Sequence, residues 1–156
     1  MLKRIKVKVV VDPDAQSQYS ITHPAQIEFY IMAYLSDPDG WRKKGYFFEP
    51  VSLNQDVLIH FSTNATIRDK CGFTKSKLSC AEMFGKTMWI NADRWFHGSP
   101  KSKLSLDDYR QYLVSHEMGH ILGHEHEKCP CPGCRAPVMM QQTLGIGECT
   151  PNTSVR

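Results

Sequence analysis

His116-Glu117-Met118-Gly119-His120-Ile121-Leu122-Gly123-His124-Glu125-His126 reads H-E-x-x-H-x-x-G-x-x-H without a mismatch. His116 and His120 are four residues apart, so on a helix they share one face, separated by ~6 Å along the axis. Two imidazoles leaning from adjacent turns can meet on one metal ion. Glu117 is the next residue round the helix, beside that ion but aimed differently, which suits a base acting on water better than a ligand. A third ligand is needed, because a catalytic zinc usually has three protein ligands and one open position. His124 on a continuous helix would lie ~12 Å from His116, too far to share an ion with it. The chain must therefore turn back after His120. Gly123 tolerates the positive φ such a turn requires, and the turn would bring His126 to the metal and send His124 elsewhere. The competing reading is a metal-free histidine cluster on a solvated helix. The full eleven-residue pattern, with glycine in register, favours Zn2+.

The rest of the chain sets bounds on what surrounds this motif. Its 156 residues suit one domain with one core, and 41% hydrophobic with 22% charged residues is ordinary for a globular protein. A net charge of +3 is too mild to argue for a nucleic-acid partner. No apolar run approaches the ~20 residues of a membrane span. The basic N-terminus is followed only by Val9-Val10-Val11, too short for a signal-peptide core. The six cysteines, Cys71, Cys80, Cys129, Cys131, Cys134 and Cys149, favour disulfides and an oxidising setting. Connectivity is open among 15 arrangements. A four-thiolate structural zinc on Cys129, Cys131, Cys134 and Cys149 is the alternative, disfavoured by Pro130 and Pro132 within C-x-C-x-x-C.

Taken in order, residues 2–11 alternate in part and read as a half-buried strand ended by Asp12-Pro13-Asp14. Residues 24–35 read as a helix, with Pro24 in the first turn and Ile27, Tyr30, Ile31 and Tyr34 on one face. Residues 46–51, 56–62 and 86–91 read as strands, and 94–100 as a loop. His60 and His97 read as structural histidines. Cys71 and Cys80 bracket a polar segment. Ser105-Leu106-Asp107-Asp108 resembles a capping box and opens the helix that carries the motif. Its Tyr109, Tyr112 and Leu113 share a face with His116 and His120, so the helix is expected to pack into the core. Methionines stand downstream of the third histidine in Ala136-Pro137-Val138-Met139-Met140-Gln141-Gln142-Thr143.

The chain resembles metzincins, and more closely small bacterial metzincin-like domains. The resemblance runs from about Asp37 to Cys149. It rests on Asp37-Pro38-Asp39-Gly40-Trp41, Leu78-Ser79-Cys80 and Ile90-Asn91-Ala92-Asp93-Arg94-Trp95-Phe96-His97-Gly98. It continues through the histidine motif, Cys129-Pro130 and residues 136–143. It implies zinc held by His116, His120 and His126, Glu117 as base, and Met139 in a Met-turn beneath the ligands. It also implies bridges Cys71–Cys80 and Cys129–Cys149, with Cys131 and Cys134 as additions that could pair with each other. Many metzincins carry a tyrosine two residues past the Met-turn methionine. Here that position is Gln141, so no tyrosine ligand or oxyanion helper stands there.

The expected fold is α/β (α+β): a small twisted mixed sheet, two main helices and a short Cys-rich C-terminal part. Residues 1–156 are expected to form a single catalytic domain, 1–123 carrying the active-site helix and 124–156 the third histidine. The expected function is zinc-dependent endopeptidase, acting as a monomer on an extended peptide or protein substrate. That peptide would pair with a strand at residues 88–91. A zinc-containing peptide-binding module without turnover is the alternative, and a purely structural zinc is a second.

Overall fold

The computed structural model describes residues 2–72 and 77–156. Five strands, β1 (Lys3–Val11), β2 (Tyr46–Pro50), β3 (Val57–Ser62), β4 (Cys80–Ala81) and β5 (Thr87–Asn91), form one mixed sheet in the order β2-β1-β3-β5-β4. The β1/β2, β1/β3 and β3/β5 pairs are parallel, and β4 alone runs antiparallel, pairing Cys80 with Trp89 and Ala81 with Met88. This is the α+β architecture expected from the pattern of elements.

Alternation along the strands decides which face is buried. Val7, Val57, Ile59, Phe61, Met88 and Ile90 are inside the core. Two long helices, α2 (Pro24–Leu35) and α5 (Leu106–Ile121), cover them, α2 through Ile27, Ile31 and Leu35 and α5 through Tyr109, Leu113, Val114 and Met118. The α2 bounds coincide with the periodic segment at residues 24–35, because Pro24 presets the first turn and Ser36-Asp37-Pro38 stops the last.

Three short helices were not expected from the sequence. α1 (Pro13–Gln18) starts where Asp12-Pro13-Asp14 read only as a strand stop, with Pro13 at the first helical position. α3 (Asn64–Cys71) is capped by the Thr63 hydroxyl, which accepts from Thr66 N at 3.2 Å. α4 (Ala92–His97) replaces the expected loop over residues 94–100, because the Asn91 side chain accepts from Arg94 N at 3.1 Å and caps it. These helices are too short to show apolar periodicity. For α3 and α4 the signal was a capping side chain at the end of a strand, Thr63 and Asn91.

A second correction bears on function. Met88–Trp89 is not a free edge, because β4 covers it. Among the described residues β4 itself is the last strand on that side of the sheet. The polar segment between Cys71 and Cys80 lies, over residues 73–76, outside the described residues.

Candidate functional site

The site is built on α5. Ser105 caps its start, accepting from Asp108 N at 3.2 Å, and Asp107 and Asp108 lie at the positive end of the helix dipole. From Gln111 to Ile121 every residue is buried, so the histidine turn is anchored in the core. The helix ends at Ile121, and Gly123 then takes φ +97°. His124 N donates back to the Gly119 carbonyl at 2.8 Å, which reverses the chain. His124 itself turns away and stacks on Trp41, ring centroids 4.7 Å apart.

The reversal returns His126 to the helix. The ligand atoms of His116, His120 and His126 all lie within 4.8 Å of one another, and His120 Nε2 is 3.0 Å from His126 Nε2. Two backbone carbonyls orient the helical rings. His116 Nδ1 faces Val138 O at 2.8 Å, and His120 Nδ1 faces His124 O at 2.9 Å. A carbonyl only accepts, so each Nδ1 carries the proton and each Nε2 presents a lone pair towards the cluster. Three imidazoles so disposed could hold a metal ion.

Behind these rings sits the turn over residues 137–140, closed by Met140 N to Pro137 O at 2.9 Å. It supplies the Val138 carbonyl, and its Met139 carbonyl accepts from Glu127 N at 3.0 Å, next to His126 in the chain. The Met139 side chain is buried against Gly119, where a Cβ would also meet Trp41 Cζ2 at 2.8 Å. Trp41 is locked by its own indole N–H, which donates to Ser115 O at 2.8 Å. Gly119→Ala should therefore destabilise the fold. Overpacking costs ~1–3 kcal/mol and outweighs the ~1 kcal/mol gained in helix propensity. Urea denaturation measures this, and a variant as stable as the parent would show that Met139 can move aside freely.

Glu117 is buried and shares a cleft of about 190 Å³ with the three histidines. Leu78, Cys80, Ala81 and Met83, on and beside β4, line the cleft together with Tyr112 and Leu113 of α5 and Gln141, Thr143 and Leu144 of the C-terminal segment. Tyr112 ties these parts together. Its hydroxyl donates to Met140 O at 3.0 Å and accepts from Gln142 N at 2.9 Å, and its ring lies 5.2 Å from His116. Burial first, then the Glu117 charge, push this phenol up in pKa, so it stays a proton donor. Phe84, beside β4, donates its backbone N–H to His120 O at 3.0 Å and rests its ring against Gly123. Sequence reasoning gave Tyr112 only a packing role and missed Phe84. Their partners lie far away in sequence, so no local pattern marks them.

The other histidines lie elsewhere. His60 Nδ1 pairs with Asp12 Oδ1 at 2.8 Å, and Ser62 Oγ donates to Asp12 Oδ2 at 2.6 Å. His97 is exposed, 3.8 Å from Asp93. The cysteines form bridges Cys71–Cys80, Cys129–Cys149 and Cys131–Cys134. With all their sulfurs bonded, the alternative four-thiolate zinc site on Cys129, Cys131, Cys134 and Cys149 does not form. The Cys71–Cys80 bridge fastens the two-residue β4 to the end of α3.

Among the described residues no helix is long and apolar enough to cross a membrane. A family model described as "Protein of unknown function (DUF3152)" matches residues 8–152. No curated protein matches the chain. Among solved structures, one titled "Structure of myroilysin" is similar at 18% identity and a TM-score of 0.41, over 80% of this chain and 49% of that one. Another, "Crystal structure of myroilysin", is similar at 17% and 0.43, over 84% and 48%. The chain thus spans about half the length of the solved structures it matches.

Proposed function

The chain belongs to the DUF3152 family, and from the geometry of its site we propose that it is a zinc-dependent endopeptidase of the metzincin type, residues 1–156 forming its catalytic domain. The observation that carries this reading is the convergence of three imidazoles beside a buried carboxylate, in a cleft bordered by an edge strand.

The donor set fits zinc. Zinc–nitrogen bonds of ~2.0–2.1 Å in a tetrahedron set nitrogens about 3.3 Å apart, close to the 3.0 Å between His120 and His126. His116, His120 and His126 would hold the ion through Nε2, leaving one position for water or substrate. Zinc bound there supplies Lewis-acid chemistry, lowering the pKa of a water towards ~7 and polarising the scissile carbonyl. Glu117 accepts the water's proton and returns it to the leaving amine. The Val138 and His124 carbonyls keep the ligand rings aimed, and Met139 fills the space beneath them.

An extended peptide would pair with the outer edge of β4, one strand beyond the position expected from sequence. The neighbouring apolar groups of Leu78, Met83 and Leu113 would flank its side chains. Glu117 separates this reading from a module that only binds peptide. Burying a carboxylate in a cleft is costly, and a site without turnover gains nothing from it.

Metal content and cleavage of a mixed peptide library, measured together, test the proposal. One zinc per chain is expected, with hydrolysis that a chelator abolishes and added zinc restores. Zinc binding with no cleavage would move the assignment to a peptide-binding module, and a chain that binds no metal would end both.

A further inference from the structure

A disulfide stabilises a fold by narrowing the unfolded ensemble, and does so more the longer the loop it closes. By linkage, the fold protects that bridge against reduction to the same degree. The sequence separations here are 3 for Cys131–Cys134, 9 for Cys71–Cys80 and 20 for Cys129–Cys149. Loop closure scales as the three-halves power of length, so Cys131–Cys134 should open about fivefold more readily than Cys71–Cys80, and more than about tenfold more readily than Cys129–Cys149.

Accessibility acts in the same direction. Cys131 is exposed and Cys134 half-buried, whereas Cys71, Cys80 and Cys129 are half-buried and Cys149 is buried. Pro132 and Gly133, between the paired cysteines, are exposed, and a Cβ on Gly133 would meet nothing within 4 Å. A thiol in solution therefore meets the Cys131 end of the bridge first.

The backbone around the bridge has its own supports. Gly133 N donates to Glu148 O, Thr150 N to Cys134 O and Ala136 N to Thr150 O, each at 2.8 Å, and Cys129–Cys149 fastens the same two segments. Asn152 Nδ2 donates to Ala136 O at 2.9 Å, just before the turn over residues 137–140. Opening Cys131–Cys134 leaves this ladder in place, so the two sulfurs stay close and the bond can re-form. Exposed bridges that open readily serve exchange, and buried ones that resist reduction serve structure.

We propose that Cys131–Cys134 is a thiol–disulfide exchange site for small monothiols. Neither cysteine lines the histidine cleft, and the assignment is independent of the peptidase reading. The thiolate of the small molecule attacks Cys131 Sγ. A new S–S bond forms there, and the Cys131–Cys134 bond breaks with its electron pair on Cys134 Sγ. Cys134 then attacks Cys131 Sγ, expels the small thiolate and restores the bridge. When a second small thiolate attacks the small molecule's sulfur instead, the small molecule leaves as its own disulfide and both cysteines end as thiols. Two thiols are then oxidised for one bridge reduced.

The test places the full chain in buffers of reduced and oxidised glutathione, quenches with acid, alkylates and maps the peptides. Cys131 and Cys134 should become alkylatable at a ratio of squared reduced to oxidised glutathione about fivefold or more below that needed for any other cysteine. Near-UV circular dichroism at that ratio should remain that of the untreated chain. In Cys134→Ser, oxidised glutathione should leave one glutathione on Cys131. In Cys131→Ser, the half-buried Cys134 should take it up roughly tenfold more slowly. Opening of Cys71–Cys80 or Cys129–Cys149 at the same ratio or a lower one would overturn the assignment. Equal rates in the two variants would do so too, as would a bridge from Cys131 to Cys129 or Cys149 in place of the mixed disulfide.

Discussion

Glu117→Ala is expected to lower peptide hydrolysis by a factor on the order of 10²–10⁴, the usual contribution of a positioned acid–base group. It should leave one metal ion bound per chain. The reason lies in the separation of roles on α5. His116 and His120 are oriented by the Val138 and His124 carbonyls, which come from outside residue 117. The substitution shortens a side chain that faces the cleft, so the hole opens to solvent rather than into the core. Folding stability should therefore change little, and removal of a buried carboxylate can offset part of the lost packing. Activity, metal content and urea denaturation on one preparation check all of this. Full residual hydrolysis would sink the assigned mechanism. Loss of the metal together with the activity would show that Glu117 supports the ligands rather than the water.

Gly123→Ala should produce the largest combined loss of stability and metal affinity. Two independent causes act at this position. The backbone has φ +97°, which an L side chain adopts only with strain, and a Cβ there would run into the Phe84 ring. Together these should cost about 2–4 kcal/mol. The damage falls on the reversal that brings His124 O to His120 and His126 to the cluster. Zinc affinity should accordingly fall by at least tenfold, in line with the loss seen when groups supporting a ligand are removed. The double variant Gly123→Ala/Phe84→Ala removes the ring and leaves the backbone strain, so it should regain part of the stability. Denaturation with and without zinc, and zinc titration against a chromophoric chelator, separate the two causes. Unchanged zinc affinity in Gly123→Ala would show that some other contact aims His126.

The contrast between these positions shows how much could be read in advance. Helical spacing placed His116 and His120 on one face, because a 3.6-residue period is a property of the backbone itself. The argument that the chain must reverse near Gly123 is also local, since it needs only the length of a helix and the reach of a ligand. The bounds of α2 and the cap at Ser105 were legible for the same reason. The short helices α1, α3 and α4 were not, because six to eight residues give too little periodicity to outweigh turn-forming composition.

The cleft was harder still. That β4, two residues long, would cover Met88–Trp89 follows from an antiparallel pairing no local pattern announces. Nor does any spacing reveal that Trp41 would brace Ser115 and His124, or that Tyr112 would grip both neighbours of Gln141. The sequence by itself determined the α+β class, the helix with two histidines on one face, and the need for a turn after it. These depend on interactions within a few residues, which repeat with the period of the backbone. The tertiary structure alone decided which strand ends the sheet among the described residues, which carbonyls aim the rings and which residues line the cleft. Those depend on groups brought together across long stretches of chain, and only packing of the sheet against α2 and α5 selects them.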